Sequence, residues 1–137
     1  MDFILAGMLG GKGNVSMNWI ATGAMALAVA VSLGAFGAHG LRGRLDAYSL
    51  EVYERAVFYH FIHALGLLLV ALLARAGAIG GAVAGRVGWL LLAGILLFSG
   101  SLYLLAITGQ RWLGAVTPVG GVSFIAAWVL LAWSSRR

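Results

Sequence analysis

Residues 87–107 read VGWLLLAGILLFSGSLYLLAI, without one charged side chain. A helix rises ~1.5 Å per residue, so a run of this length covers the ~30 Å of hydrocarbon in a bilayer. Residues 19–38, 57–74 and 116–133 have the same character. Between the first two runs lies LRGRLDAYSLEVYERA, residues 41–56, which holds Asp46, Glu51 and Glu54; Asp2, near the start, is the other acidic residue. The pattern predicts an all-α, polytopic membrane protein with four transmembrane helices.

Composition supports this reading and narrows it. With 62% hydrophobic and 9% charged residues in a chain of 137, the apolar surface is too large for a soluble monomer and has to be covered by lipid. Once the spans are subtracted, the connections are too short for a soluble catalytic domain, so residues 17–137 form one domain with a helix-on-helix core. The formal charge of +5 does not point to nucleic acid, because the basic residues sit singly at span ends, where they orient helices and meet lipid headgroups. Cysteine is absent, which removes disulfides, thiolate metal sites and thiol redox chemistry. Residues 1–16 lack the basic start of a secretory signal and read as an N-terminal extension ahead of Met17.

Four spans put both termini and the connection after residue 74 on one side. That side carries Lys12, Arg75, Arg86, Arg136 and Arg137, against Arg42, Arg44, Arg55 and Arg111 on the other, which favours cytoplasmic termini in an inner membrane. Trp19, Trp89 and Trp133 fall at the terminal side, and Tyr48, Tyr53, Tyr59 and Trp112 toward the opposite one, as anchoring rings at headgroup depth should. Leu41, Leu45, Tyr48, Val52, Ala56 and Tyr59 recur at three- and four-residue steps, which predicts an amphipathic interfacial helix between the first and second spans, one that lies on the membrane surface or continues into the second span. Asp46 is placed to cap it, and Glu51 with Arg55 forms an i,i+4 pair.

In the first span Thr22, Ala26, Ala30, Gly34 and Ala38 repeat every fourth residue. Small side chains let helix backbones approach closely, a main source of association in lipid. The stripe is expected to pack against another helix of the bundle or to dock another protomer or another protein.

The remaining polar residues gather near one interface. His39 ends the first span, and His60 and His63 open the second beside Tyr59; Ser99, Ser101 and Tyr103 lie in the outer half of the third, and Thr117 opens the fourth. Two imidazoles from different helices can ligate a haem, three can hold a copper or zinc ion, and one can hydrogen-bond a quinone carbonyl or relay protons. Histidines at helix ends also commonly do no more than bond a nearby carbonyl. Which metal or cofactor such a cluster would take is not fixed by the residues. No span carries an intramembrane carboxylate of the kind proton-driven exporters use, and no acid pair or nucleophile triad is visible, so an enzyme is not expected.

The segments Gly34-Ala35-Phe36-Gly37-Ala38-His39-Gly40-Leu41, Tyr59-His60, His63-Ala64-Leu65, Phe98-Ser99-Gly100-Ser101-Leu102-Tyr103 and Thr117-Pro118-Val119-Gly120-Gly121, in this order, resemble the small integral membrane family called Domain of Unknown Function 423. The resemblance runs from about Met17 to Trp133. It implies a four-helix inner-membrane protein and carries no agreed catalytic role onto these positions.

Together these readings lead to a non-enzymatic accessory or assembly subunit of a larger membrane complex, with membrane lipid, other subunits or further copies of the chain as partners. The alternatives are a haem-, metal- or quinone-binding protein built on the histidines, and a small transporter or lipid-binding protein.

Overall fold

The computed structural model describes residues 17–135; the N-terminal extension lies outside them. Four helices are long and apolar enough to cross a membrane: α1 (Trp19–Leu41), α2 (Ala47–Arg75), α3 (Gly81–Thr108) and α4 (Arg111–Ser134). No strand occurs among the described residues.

Local chemistry sets where each helix begins and ends. Asn18 Oδ1 accepts from the Ala21 N–H at 3.2 Å and Asp46 Oδ1 from the Ser49 N–H at 2.7 Å, so two helix starts have their free donors satisfied by the preceding side chain. Asp46 is fully exposed, and its hydrogen bonding to Ser49, the backbone N–H first, holds its carboxyl below the usual aspartate value. The α3–α4 connection is shortest. Gly109 takes φ +70°, a left-handed conformation that costs glycine little, and donates to the Leu105 carbonyl at 2.9 Å. The chain then re-enters a helix through a 3-10 turn at Arg111–Ala115, with Pro118 in the first turn of the α-helix that follows, where its missing N–H is no loss.

The amphipathic segment between the first two spans does not form a separate interfacial helix but continues into the second span. Residues 47–56 are the first turns of α2 itself, which runs unbroken for 29 residues. At ~1.5 Å per residue this helix is about 44 Å long, more than hydrocarbon requires, so its polar start projects past the apolar layer. The expected stripe also changes. Val52, Tyr53, Ala56 and His60 are buried along the inward face, Tyr48 is exposed, and Leu41 belongs to the end of α1. The Glu51–Arg55 pair forms at 2.9 Å on the exposed side, where it adds little stability.

The bundle is built around α2 and α3. Of their most apolar windows, 44% and 39% is buried, against 17% for both α1 and α4, which flank the central pair. One core cluster joins α2, α3 and α4 through Ala64, Leu67, Val70, Val87, Leu91, Ile95, Phe124 and Ala127; a second joins α1, α2 and α3 through Leu41, Tyr53, Ala56, Leu102 and Ala106. Glycines receive rings from neighbouring helices. A Cβ on Gly37 would stand 2.4 Å from the Tyr53 ring, on Gly88 2.6 Å from Trp19, on Gly66 2.9 Å from Trp128 and on Gly94 2.3 Å from Phe124. Each ring fills the space that a missing side chain leaves, which is how dense packing is reached where lipid provides no hydrophobic drive.

Trp19 meets Trp89 edge to face, ring centroids 5.4 Å apart, at the end of the bundle nearest the termini. Trp89 and Trp133 are exposed at that end, and Tyr48 and Trp112 at the other, the placement that headgroup-depth anchors require.

Candidate functional site

On α2, His60 and His63 are three residues apart and therefore about 60° apart around the axis. On a central helix this separation sends them into different seams.

His60 faces α1 and α3. Its Nδ1 lies 3.0 Å from the Tyr103 hydroxyl, and the ring lies against the Ala26 backbone carbonyl of α1. A carbonyl only accepts, so a proton on the nitrogen turned to Ala26 would make Tyr103 the donor to Nδ1. Tyr53 completes the seam: its hydroxyl donates to the Leu33 carbonyl at 2.5 Å, and its ring packs edge to face on Tyr103 at 5.1 Å. His60 is 4% exposed and Tyr53 1%. Three helices meet here, held by the Tyr53–Leu33 and His60–Tyr103 hydrogen bonds, as buried polar groups should be.

His63 turns to α4. Its ring stacks on Phe124 at 3.4 Å and 12°, with Trp128 at 5.9 Å. Its Nδ1 stands 2.7 Å from the Tyr59 carbonyl one turn earlier and must carry the proton in that bond. In the neutral ring, the form hydrocarbon surroundings favour, Nε2 then keeps a lone pair that no hydrogen bond among the described residues engages. Tyr59, half-buried, packs on Phe98 at 4.5 Å, and its hydroxyl likewise makes no hydrogen bond to the described residues. Between these side chains runs a groove of about 350 Å³, lined by Tyr59, His63, Phe98, Gly121, Phe124, Ile125 and Trp128.

The serines and Thr117 serve the α3–α4 contact. Ser101 Oγ and Thr117 Oγ1 are 2.6 Å apart, and Ser123, which the sequence reading did not single out, donates to the Leu90 carbonyl at 2.6 Å. Ser99 ends a π-helical turn, Ile95–Ser99, inside α3; its hydroxyl is wholly buried without a partner among the described residues. Such turns interrupt the regular ladder. Here the turn carries Phe98 against Gly120, where a Cβ would meet the Phe98 backbone nitrogen at 2.3 Å.

His39 does not join the other histidines. It lies exposed in a second π-helical turn, Gly37–Leu41, at the end of α1. Among the described residues no group of three His, Asp or Glu side chains could hold a metal ion, so the arrangement offers no three-imidazole site. In α1, Ala30 is fully buried, Ala26 packs at the edge of the core, Gly34 touches Val57, Thr22 is turned back to the Asn18 carbonyl, and Ala38 is exposed. Steps of four residues drift about 40° each around an α-helix, so a stripe of five cannot stay on one face. The buried seam is Gly23, Ala30 and Gly37, seven residues apart, a spacing that drifts only about 20° per repeat.

A second cleft, of about 370 Å³, lies between α1 and α2, with Gly34, Gly37, Tyr53 and Val57 among its walls and Arg42 and Glu54 beside them. Its charged residues lie outside the continuous apolar stretch, which gives it the character of an interfacial crevice.

A helical bundle with apolar faces turned outward and polar groups paired inward is a small polytopic membrane protein. The chain belongs to the family described as "Protein of unknown function (DUF423)", whose model matches residues 33–121, from the second half of α1 through the first half of α4. It is 50% identical over 114 residues to the UPF0382 membrane protein YwdK of Bacillus subtilis (strain 168), covering 82% of this chain and 91% of that one. It is 44% identical over 119 residues to the UPF0382 membrane protein SH2409 of Staphylococcus haemolyticus (strain JCSC1435), covering 87% and 95%. With the UPF0382 membrane protein SAB0533 of Staphylococcus aureus (strain bovine RF122 / ET3-1) identity is 43% over 113 residues, covering 82% and 90%. No solved structure matches the chain.

Proposed function

We propose that the protein is a non-enzymatic accessory or assembly subunit of a complex in the cytoplasmic membrane, its helices docking other membrane subunits or further copies of the chain. The observation that carries this reading is the outer face of α1. Its own bundle buries 17% of its apolar window, and the exposed positions include Ala21, Ala24, Ala28, Ser32, Ala35 and Ala38. A face of such small side chains gains little from lipid and permits close approach of a partner helix. The polar interior supports the same reading, since His60, Tyr53, Tyr103, Ser101 and Thr117 are occupied with one another or with backbone. Both termini are cytoplasmic in this proposal, on the distribution of Lys12, Arg75, Arg86, Arg136 and Arg137 against the basic residues of the opposite side.

Native mass spectrometry after mild extraction from the host membrane tests it. The expected result is the chain at fixed ratio with other protein subunits or with itself, and dissociation of that assembly by Ala28→Phe, which adds bulk on the exposed face without touching the core. A chain that is always monomeric under gentle extraction would defeat the proposal.

A further inference from the structure

We infer that the groove between α2, α3 and α4 binds a lipid-soluble aromatic alcohol, of the class of isoprenoid quinols, whose hydroxyl donates a hydrogen bond to His63 Nε2. Depth is the first argument. His63 lies twelve residues before the end of α2 at Arg75, about 18 Å along the axis, so the groove is well inside the hydrocarbon. A phosphate or other charged headgroup at that depth would be costly, which leaves ligands that dissolve in the acyl layer. Ile125, on the groove wall, is 65% exposed, so the groove opens toward the acyl chains and can be entered from them.

The walls supply the second argument. Tyr59, Phe98, Phe124 and Trp128 present rings, and the volume of about 350 Å³ falls in the ~300–1,000 Å³ range of small-molecule sites. Aromatic walls favour a flat ring through offset and edge-to-face contact.

The third argument is the polar pair. His63 is 5% exposed, its Nδ1 proton is committed to the Tyr59 carbonyl, and its Nε2 offers a lone pair. That nitrogen takes an O–H donor and cannot donate to a carbonyl. The Tyr59 hydroxyl can give or accept. A quinol, with a hydroxyl on its ring, satisfies Nε2, whereas the oxidised quinone brings only acceptors and leaves it unmet. The site therefore favours the reduced form. Only binding is proposed, independent of whether the chain is an accessory subunit.

The test is equilibrium titration of the full chain in phospholipid nanodiscs, under anaerobic conditions, with decyl-ubiquinol, its oxidised quinone and decanol as probes. Saturable binding of the quinol is expected, about tenfold or more tighter than the quinone, the difference one buried hydrogen bond makes. Gly121→Leu fills the groove and should abolish binding while the protein still unfolds cooperatively, because a Cβ there first meets the Phe98 ring at an ordinary 3.7 Å. His63→Phe keeps a ring on Phe124 and should erase the preference for the reduced form. Failure to saturate, equal affinity for quinol and quinone, equal affinity for decanol, or binding unchanged by Gly121→Leu would each overturn the inference.

Discussion

The two seams that leave α2 are built from the same residue types and end in opposite states. Toward α1 and α3, Tyr53, His60 and Tyr103 use their polar atoms on one another and on backbone carbonyls, and Gly37 lets the Tyr53 ring close the remaining space. Toward α4, His63 spends one nitrogen on its own helix, keeps the other, and stands beside a groove. The lesson is that a histidine in a membrane helix is not a site by identity. What decides is whether the neighbouring helices consume all of its hydrogen-bonding capacity. The first seam is glue; the second retains a surplus.

The largest effects should come from breaking the closed seam. Gly37→Ala places a Cβ 2.4 Å from a ring that is 1% exposed, so either Tyr53 or the helix spacing must yield. Overpacking of this kind costs about 2 kcal/mol. In the open seam Gly121→Ala meets nothing closer than 3.7 Å and should be neutral within about 0.5 kcal/mol. Thermal or denaturant unfolding of the two variants in one detergent compares them directly, and equal losses would erase the distinction between the seams.

The histidines come next. His60→Phe strips the buried Tyr103 hydroxyl of its partner, so about 1–2 kcal/mol should be lost. His63→Phe forfeits a single bond to a carbonyl within its own helix while retaining a ring against Phe124, and less than about 1 kcal/mol should be lost. The same unfolding measurement ranks them. A His63 variant that proved the more damaging would move His63 into the structural class.

How far the sequence reveals these differences depends on the kind of information each requires. The four spans, the Asp46 cap and the Glu51–Arg55 pair follow from runs and spacings within single helices, and all are present in the structure. The grouping of His39 with His60 and His63 rested on shared depth. Depth is legible in a hydropathy pattern, but rotation about the helix axis relative to neighbours is not. That rotation puts His39 on the exposed side of α1 and sends His60 and His63 to different partners. The stripe Thr22, Ala26, Ala30, Gly34 and Ala38 is buried most deeply at Ala30 and turns out to exposed Ala38 because a four-residue step drifts, while the seven-residue series Gly23, Ala30, Gly37 follows the buried seam. Phe98, Phe124 and Trp128 carry no mark in a span full of apolar residues. The reciprocal supply of glycines and rings is a usable clue, although only the fold pairs Gly66 with Trp128 and Gly94 with Phe124. The π-helical turns are invisible locally, since each shifts the register of its helix to suit a contact with another.

The smallest expected effects lie in α3, where two serines two residues apart sharpen the comparison. Ser101 shares a 2.6 Å hydrogen bond with Thr117 across the α3–α4 contact, and removing it by Ser101→Ala should cost about 0.6 kcal/mol, the usual scale for interhelical bonds in lipid. Ser99 is just as buried, yet its hydroxyl bonds to nothing among the described residues, so Ser99→Ala removes a desolvated group at no loss of contact and should leave stability unchanged or raise it. The opposite sign of two chemically identical substitutions separates a polar group used as glue from one left in surplus, the distinction that divides His60 from His63. If Ser99→Ala instead destabilised by more than Ser101→Ala, Ser99 would have a partner that only the membrane-embedded protein supplies, and the α3 π-helical turn would become the next place to look for a ligand.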